Sequence, residues 1–158
     1  LVLLRPTLVY GCGLDRNVSL LLKFGERSGF IPVSGSARGL RQPVHAEDLA
    51  QLALGCLRAD TGPCMETAAP GGETLAYGEM ARRVAACGQR PIRVVSLPAP
   101  ILAGVVRLAG ALGFSKGLNA EMVHRQAIDM VFDAANLPAS LNWEPRPFEP
   151  TPTDFRLP

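Results

Sequence analysis

The stretch Gly35-Ser-Ala-Arg-Gly-Leu-Arg41-Gln-Pro-Val-His45-Ala-Glu-Asp48-Leu-Ala50 decides how this chain is read. A glycine-bearing turn leads through a basic residue into a short extended piece, and then directly into a helix. Glu47 and Asp48 fall in the first turn of that helix, where the positive end of the peptide dipoles favours carboxylates. Leu49, Leu52, Ala53, Cys56 and Leu57 then recur at spacings of three and four, which predicts one apolar face on a helix from about Ala46 to Arg58. Arg41 stands just upstream of the helix start, on a segment with little freedom. A guanidinium held that way suits a phosphate oxygen; the same spacing also allows an exposed surface arginine paired with Glu47 or Asp48.

At 158 residues and 47% hydrophobic, the chain is long enough for one domain with its own core. Sixteen basic and fourteen acidic residues leave a net charge of +2, and the arginines are scattered, which argues against a nucleic-acid partner. Cys12, Cys56, Cys64 and Cys87 form no Cys-x-x-Cys pair and have no histidine at ligand spacing, so no metal site is expected. Cys56 falls on the apolar helix face as a small core residue. Nothing demands an oxidising compartment, and a cytoplasmic protein is expected. The most apolar stretch, Leu97 to Phe114, is broken by Pro98, Pro100 and Arg107 and is too short to cross a membrane, so no membrane partner is expected. The opening Leu-Val-Leu-Leu, without methionine or basic lead-in, has the character of a buried strand and suggests a piece excised from a longer protein.

Read in order, residues 1–4 with 8–10 form a strand apolar on both faces, as in a parallel sheet covered by helices. Gly11-Cys-Gly13 makes a turn, and Asn17 is placed to cap a helix running to about Ser28, with Val18, Leu21, Leu22 and Phe24 inward. Phe30 to Val33 is extended. Thr61-Gly-Pro63 breaks the central helix, and Met65 to Ala69 is a second strand. Thr74 is placed to cap a helix of about twelve residues that buries Leu75, Met80, Val84 and Ala85 and stops at Gly88. Ile92 to Leu97 is a strand; helices follow from about Pro98 to Leu112 and from about Ala120 to Phe132. The tail from Leu137 lies as an irregular segment over the core. The expected class is α/β, a few short strands with about five helices.

Four pieces carry a family resemblance in the right order. They are Leu4-Arg-Pro-Thr-Leu-Val-Tyr-Gly11, the Arg41-x-x-Val44-His45-x-x-Asp48-Leu-Ala segment, Gly72-Glu-Thr-Leu-Ala-Tyr77 and Leu141-Asn-Trp-Glu-Pro-Arg146. Together they resemble the extended short-chain dehydrogenases, the NAD-dependent nucleotide-sugar epimerases, dehydratases and reductases. The resemblance implies that residues 1–158 are the substrate-side, C-terminal part of a Rossmann-type fold. The family's Gly-x-x-Gly-x-x-Gly turn and its proton-exchanging Tyr-x-x-x-Lys pair are both lacking: Tyr10 and Tyr77 are followed four residues on by Leu14 and Ala81. The dinucleotide-binding part is therefore expected to be absent, with no catalytic residue here and no cofactor bound to this fragment. NAD or NADP is implied for the intact parent.

By the same resemblance, Arg41 matches the arginine that contacts the substrate diphosphate, and Arg125 a late phosphate-binding arginine; Arg125 and Asp129 also allow a plain helix ion pair. Tyr10, Gly11 and Cys12 match the loop beside the nicotinamide. Leu8 stands where many sugar-nucleotide epimerases carry asparagine, a departure that bears on which sugar is bound. His45 and Asp48 match a His-x-x-Asp pair, with helix capping and loop bracing as the plainer role. His124 has no catalytic partner in sequence. The function implied is a substrate-side part binding a nucleotide-sugar; the alternative is a non-catalytic assembly or binding module on the same fold. A strand edge at residues 1–10, with 64–69 beside it, is expected to drive a homodimer or higher assembly.

Overall fold

The computed structural model describes residues 1–15, 17–59, 64–111 and 120–156. The expected break at 61–63 lies outside them. Among the described residues, short strands and five α-helices make a mixed α/β structure, in two compact units.

The first unit comprises 1–19, 41–74 and 130–158. Strand β1 (Val2–Pro6) pairs in parallel with a strand at Met65–Ala69, from Val2 opposite Met65 to Pro6 opposite Ala69. A second parallel pair joins β2 (Leu8–Tyr10) to a strand at Pro43–His45. The helix expected from Ala46 to Arg58 has those bounds. Its Leu52 and Cys56 form a buried cluster with Met65 and Ala69, against which Val2, Leu4, Leu49, Leu137, Leu141 and Trp143 pack. Ala53 and Leu57 were expected on this face, yet Ala53 is exposed and Leu57 is 83% exposed. Each step of four drifts about 40° around a helix. The row 48, 52, 56 faces the core, so the row 49, 53, 57 turns progressively away from it. The first strand also departs from expectation: Val2 and Leu4 face the cluster, whereas Leu3 is 45% exposed, so only one face is covered.

The second unit comprises 20–40 and 75–129. Strand β3 (Phe30–Ser34) pairs in parallel with a strand at Arg93–Leu97, and helices at Tyr77–Ala86 and Ala99–Ala111 pack on this pair. Leu75, Met80, Val84 and Ala85 are buried as expected.

Labelled in chain order, the strands continue as β4 (Leu40–Arg41), β5 (Pro43–His45), β6 (Met65–Ala69), β7 (Leu75–Ala76) and β8 (Arg93–Leu97). The helices are α1 (Val18–Ser28), α2 (Ala46–Arg58), α3 (Tyr77–Ala86), α4 (Ala99–Ala111) and α5 (Ala120–Arg125).

Three local expectations are corrected. Asp15, not Asn17, caps α1: its carboxylate accepts the N–H of Asn17 at 3.0 Å and of Ser19 at 2.9 Å. Thr74 caps nothing, because Leu75 and Ala76 are drawn into β7 and α3 opens at Tyr77 without a side-chain cap. The first amides of α3 are satisfied instead by loop carbonyls, Tyr77 N–H on Gly39 at 2.9 Å and Gly78 N–H on Ala37 at 2.9 Å. Helix α5 ends at Arg125 rather than running to Phe132, and Ile128, Met130, Val131 and Phe132 are partly exposed rather than lined along a buried helix face. No helix among the described residues is long and apolar enough to cross a membrane.

Candidate functional site

The pairing of β2 with β5 sets Leu8 opposite Pro43, Val9 opposite Val44 and Tyr10 opposite His45. The register brings the Leu8–Cys12 segment against the His-x-x-Asp segment. His45 is the N-cap of α2: its Nδ1 accepts the Glu47 N–H at 3.2 Å, which leaves the proton on Nε2, 3.4 Å from Asp154 Oδ1. Asp154 is fixed in turn, its Oδ2 accepting from Thr151 N–H at 2.7 Å and from the Thr151 hydroxyl at 3.0 Å.

Tyr10 is 1% exposed, its ring edge-on to His45 at 5.0 Å and to Phe148 at 4.9 Å between centroids. Burial, with a smaller push from Asp154, raises its phenol to about 12. Its side chain thus belongs to the core of the first unit. Gly11, Cys12 and Gly13 all have positive φ (103°, 66° and 65°). At Gly11 the reason is close packing, since a Cβ there would lie 2.9 Å from His45 Nε2. Of the three residues matched to the nicotinamide loop, Cys12 alone carries an exposed side chain.

Of the two settings that the sequence allows for Arg41, the exposed surface one is not met: its side chain is buried, at 5% exposure. It sits on β4 two residues before Pro43, and Gln42 next to it accepts a hydrogen bond from the Thr7 hydroxyl on its carbonyl. The carboxylates proposed as its surface partners are engaged by Arg146. The Asp48 carboxylate accepts the Arg146 backbone N–H at 3.0 Å and its Nε at 2.9 Å, and an Arg146 NH2 group lies 2.7 Å from Asp48 and 3.1 Å from Glu47. Hydrogen bonding to Asp48 raises Arg146 above the usual guanidinium value. The His-x-x-Asp pair therefore works structurally, His45 capping the helix and Asp48 bracing the tail. Arg125 is the last residue of α5, in the second unit, while Leu8, Tyr10, Gly11, Cys12 and Arg41 belong to the first.

Sequence reasoning missed Arg146, Phe148 and Asp154 as neighbours of this segment. Arg146 closes one of the four motif pieces, but nothing local shows that it returns to a helix 98 residues earlier.

No family model matches the chain. It is 26% identical over 144 residues to the UDP-glucose 4-epimerase of Vibrio cholerae, covering 91% of this chain and 42% of that protein. In fold it is similar to a UDP-glucose 4-epimerase with UDP-glucose from Thermotoga maritima, with a TM-score of 0.63 at 16% identity over 99% of this chain and 43% of that one. It is likewise similar to RMD from Pseudomonas aeruginosa complexed with NADPH, with a TM-score of 0.62 at 13% identity over 98% of this chain and 45% of that one. The chain thus spans less than half the length of these relatives. The resemblance to the extended short-chain dehydrogenases holds in sequence and in fold, over part of those proteins.

Proposed function

We propose that this chain is the substrate-side, C-terminal part of a longer NAD(P)-dependent nucleotide-sugar epimerase, dehydratase or reductase, in which Arg41 holds the substrate diphosphate. The observation that carries the reading is the setting of Arg41: a buried guanidinium on a short strand, in a chain similar in sequence and fold to nucleotide-sugar epimerases. A buried, pre-positioned arginine loses little entropy on gripping a diphosphate and matches its oxygens in a planar fork.

The nicotinamide, when bound, supplies the hydride acceptor and donor for the sugar carbon. His45 lies against Gly11 and the Phe155 backbone against Gly13, so a nicotinamide beside this turn would meet it at the exposed Cys12. Cys12 and the turn backbone would line the pocket, with Tyr10 supporting them from beneath. Arg125 is a second candidate for the phosphate. Without a Gly-rich turn or Tyr-x-x-x-Lys pair, the 158-residue chain alone should neither bind NAD at micromolar concentration nor turn over.

The half-buried Leu8, where a polar residue would suit a sugar hydroxyl, favours a second reading as a non-catalytic module. The deciding experiment is titration of the full-length protein with UDP-glucose, comparing wild type with Arg41→Lys, which keeps the charge in a buried position but loses the fork. Weakening of about 1.5–3 kcal/mol supports the diphosphate role. Unchanged affinity would assign Arg41 to packing.

A further inference from the structure

The turn at Gly11–Gly13 is held by residues far along the chain, and the whole contact lies within the first unit. Beyond Arg146 the tail is anchored at Phe148, which is buried against Tyr10 and whose N–H bonds Glu73 Oε2 at 3.1 Å. Residues Pro152–Phe155 then form a single 3-10 turn. Its geometry is closed by Asp154, whose N–H bonds Thr151 O at 3.1 Å while its Oδ2 accepts from the Thr151 N–H and hydroxyl. Two groups of Asp154 reach the glycine turn. Its carbonyl accepts the Gly13 N–H at 3.0 Å, and its Oδ1 lies 3.4 Å from Nε2 of His45, the ring packed on Gly11. The fit at Gly13 is close, since a Cβ there would lie 2.6 Å from the Phe155 carbonyl oxygen. Asp154 is thus tied to both ends of the turn, and Cys12 between them is exposed. Cys12 has a φ of 66°, which costs a residue with a Cβ about 1–2 kcal/mol and persists only where its surroundings impose it.

We infer that Asp154 is a positioning residue: its carbonyl and carboxylate strap the Gly11–Gly13 turn at both ends and so fix Cys12 where the nicotinamide meets it. The inference rests on the reading of that turn as the nicotinamide loop. Released from the strap, Cys12 can relax to negative φ, and the turn must be ordered again each time the ring binds, at a cost in affinity.

The test uses Asp154→Ala and the milder Thr151→Ala, which takes the hydroxyl from the same carboxylate and leaves the backbone N–H on it. Hydrogen exchange at the Gly13 amide of the full-length protein reads the strap without any ligand. Its consequence is read by titration with NAD and NADP, beside ADP-ribose and its phosphorylated form, which lack the nicotinamide. Asp154→Ala should speed Gly13 exchange and weaken the dinucleotide roughly fivefold, leaving the molecule without nicotinamide bound as in wild type. Thr151→Ala should move both readouts the same way, by about twofold. Unchanged Gly13 exchange in Asp154→Ala overturns the strap. Faster exchange with unaltered dinucleotide affinity, or with both kinds of ligand weakened alike, overturns the positioning role. The reading beneath it is tested separately in wild type, where a bound dinucleotide should slow alkylation of Cys12, followed by mass spectrometry, and its counterpart without nicotinamide should not. If neither dinucleotide protects Cys12, the nicotinamide reading of the turn fails and the positioning role fails with it, whatever the exchange shows.

Discussion

The contact between Asp48 and Arg146 should be worth more from one end than from the other. Asp48→Ala removes the acceptor of the Arg146 backbone N–H and Nε and the nearer partner of its NH2 group, leaving only Glu47 at 3.1 Å. Arg146→Ala removes the guanidinium but leaves its backbone N–H on Asp48 Oδ2. The guanidinium is 44% exposed and partly rehydrates when released, so its share is about 1 kcal/mol. The backbone bond is charge-assisted and part-buried and contributes about another 1–1.5 kcal/mol. The carboxylate also lies in the first turn of α2, where the dipole adds roughly 0.5 kcal/mol. Asp48→Ala should therefore cost about 2.5–3 kcal/mol and Arg146→Ala about 1 kcal/mol. The double variant should fall short of the sum by about 1 kcal/mol, because the shared contact is lost only once. Urea unfolding followed by Trp143 fluorescence measures all three in the first unit, which contains that residue. Equal losses from the two single variants, or strict additivity in the double, would refute the assignment of Asp48 as the anchor of the tail.

Gly11→Ala should destabilise by about 1–3 kcal/mol, measured by thermal unfolding, because it combines a φ of 103° with a contact 2.9 Å from His45 Nε2. The Tyr10 phenol, raised in the folded state to about 12 from 10.0, should make stability fall as pH rises through that interval. The unfolded chain loses its proton first there, so stability declines by about 2–3 kcal/mol between the two values, and Tyr10→Phe should remove that component of the slope. The β1 strand has β6 on one side and no further strand among the described residues, with Leu1 84% and Leu3 45% exposed. Sedimentation of the 158-residue chain at micromolar concentration should show a dimer or larger assembly that Leu3→Lys disperses; a monomer with residues 1–10 protected from exchange would oppose edge pairing.

What the sequence displayed well was whatever a short window contains. Helix α2 had its dipole-matched first turn and its spacing of three and four, so both ends could be placed. The partner strand of β1, Met65–Ala69, lay between turn signals and was read with its observed bounds. Caps were harder, because Asn17 and Asp15 are both good capping residues and only the path of the chain selects Asp15. Helix α5 was overestimated for the same reason: the side chain of Gln126 and the carboxylate of Asp129 satisfy backbone groups of the loop at 34–40 instead of continuing a helix. Arg41 shows the limit most plainly. Its neighbours in sequence offered two carboxylates, and the local pattern left a phosphate-facing guanidinium and a surface ion pair equally open. The fold gives those carboxylates to Arg146 and buries Arg41. A buried charge costs several kcal/mol unless something charged or polar meets it, so burial raises the demand on whatever Arg41 touches. That burial is set by elements that pack on Arg41 from far away in sequence, which no local window displays.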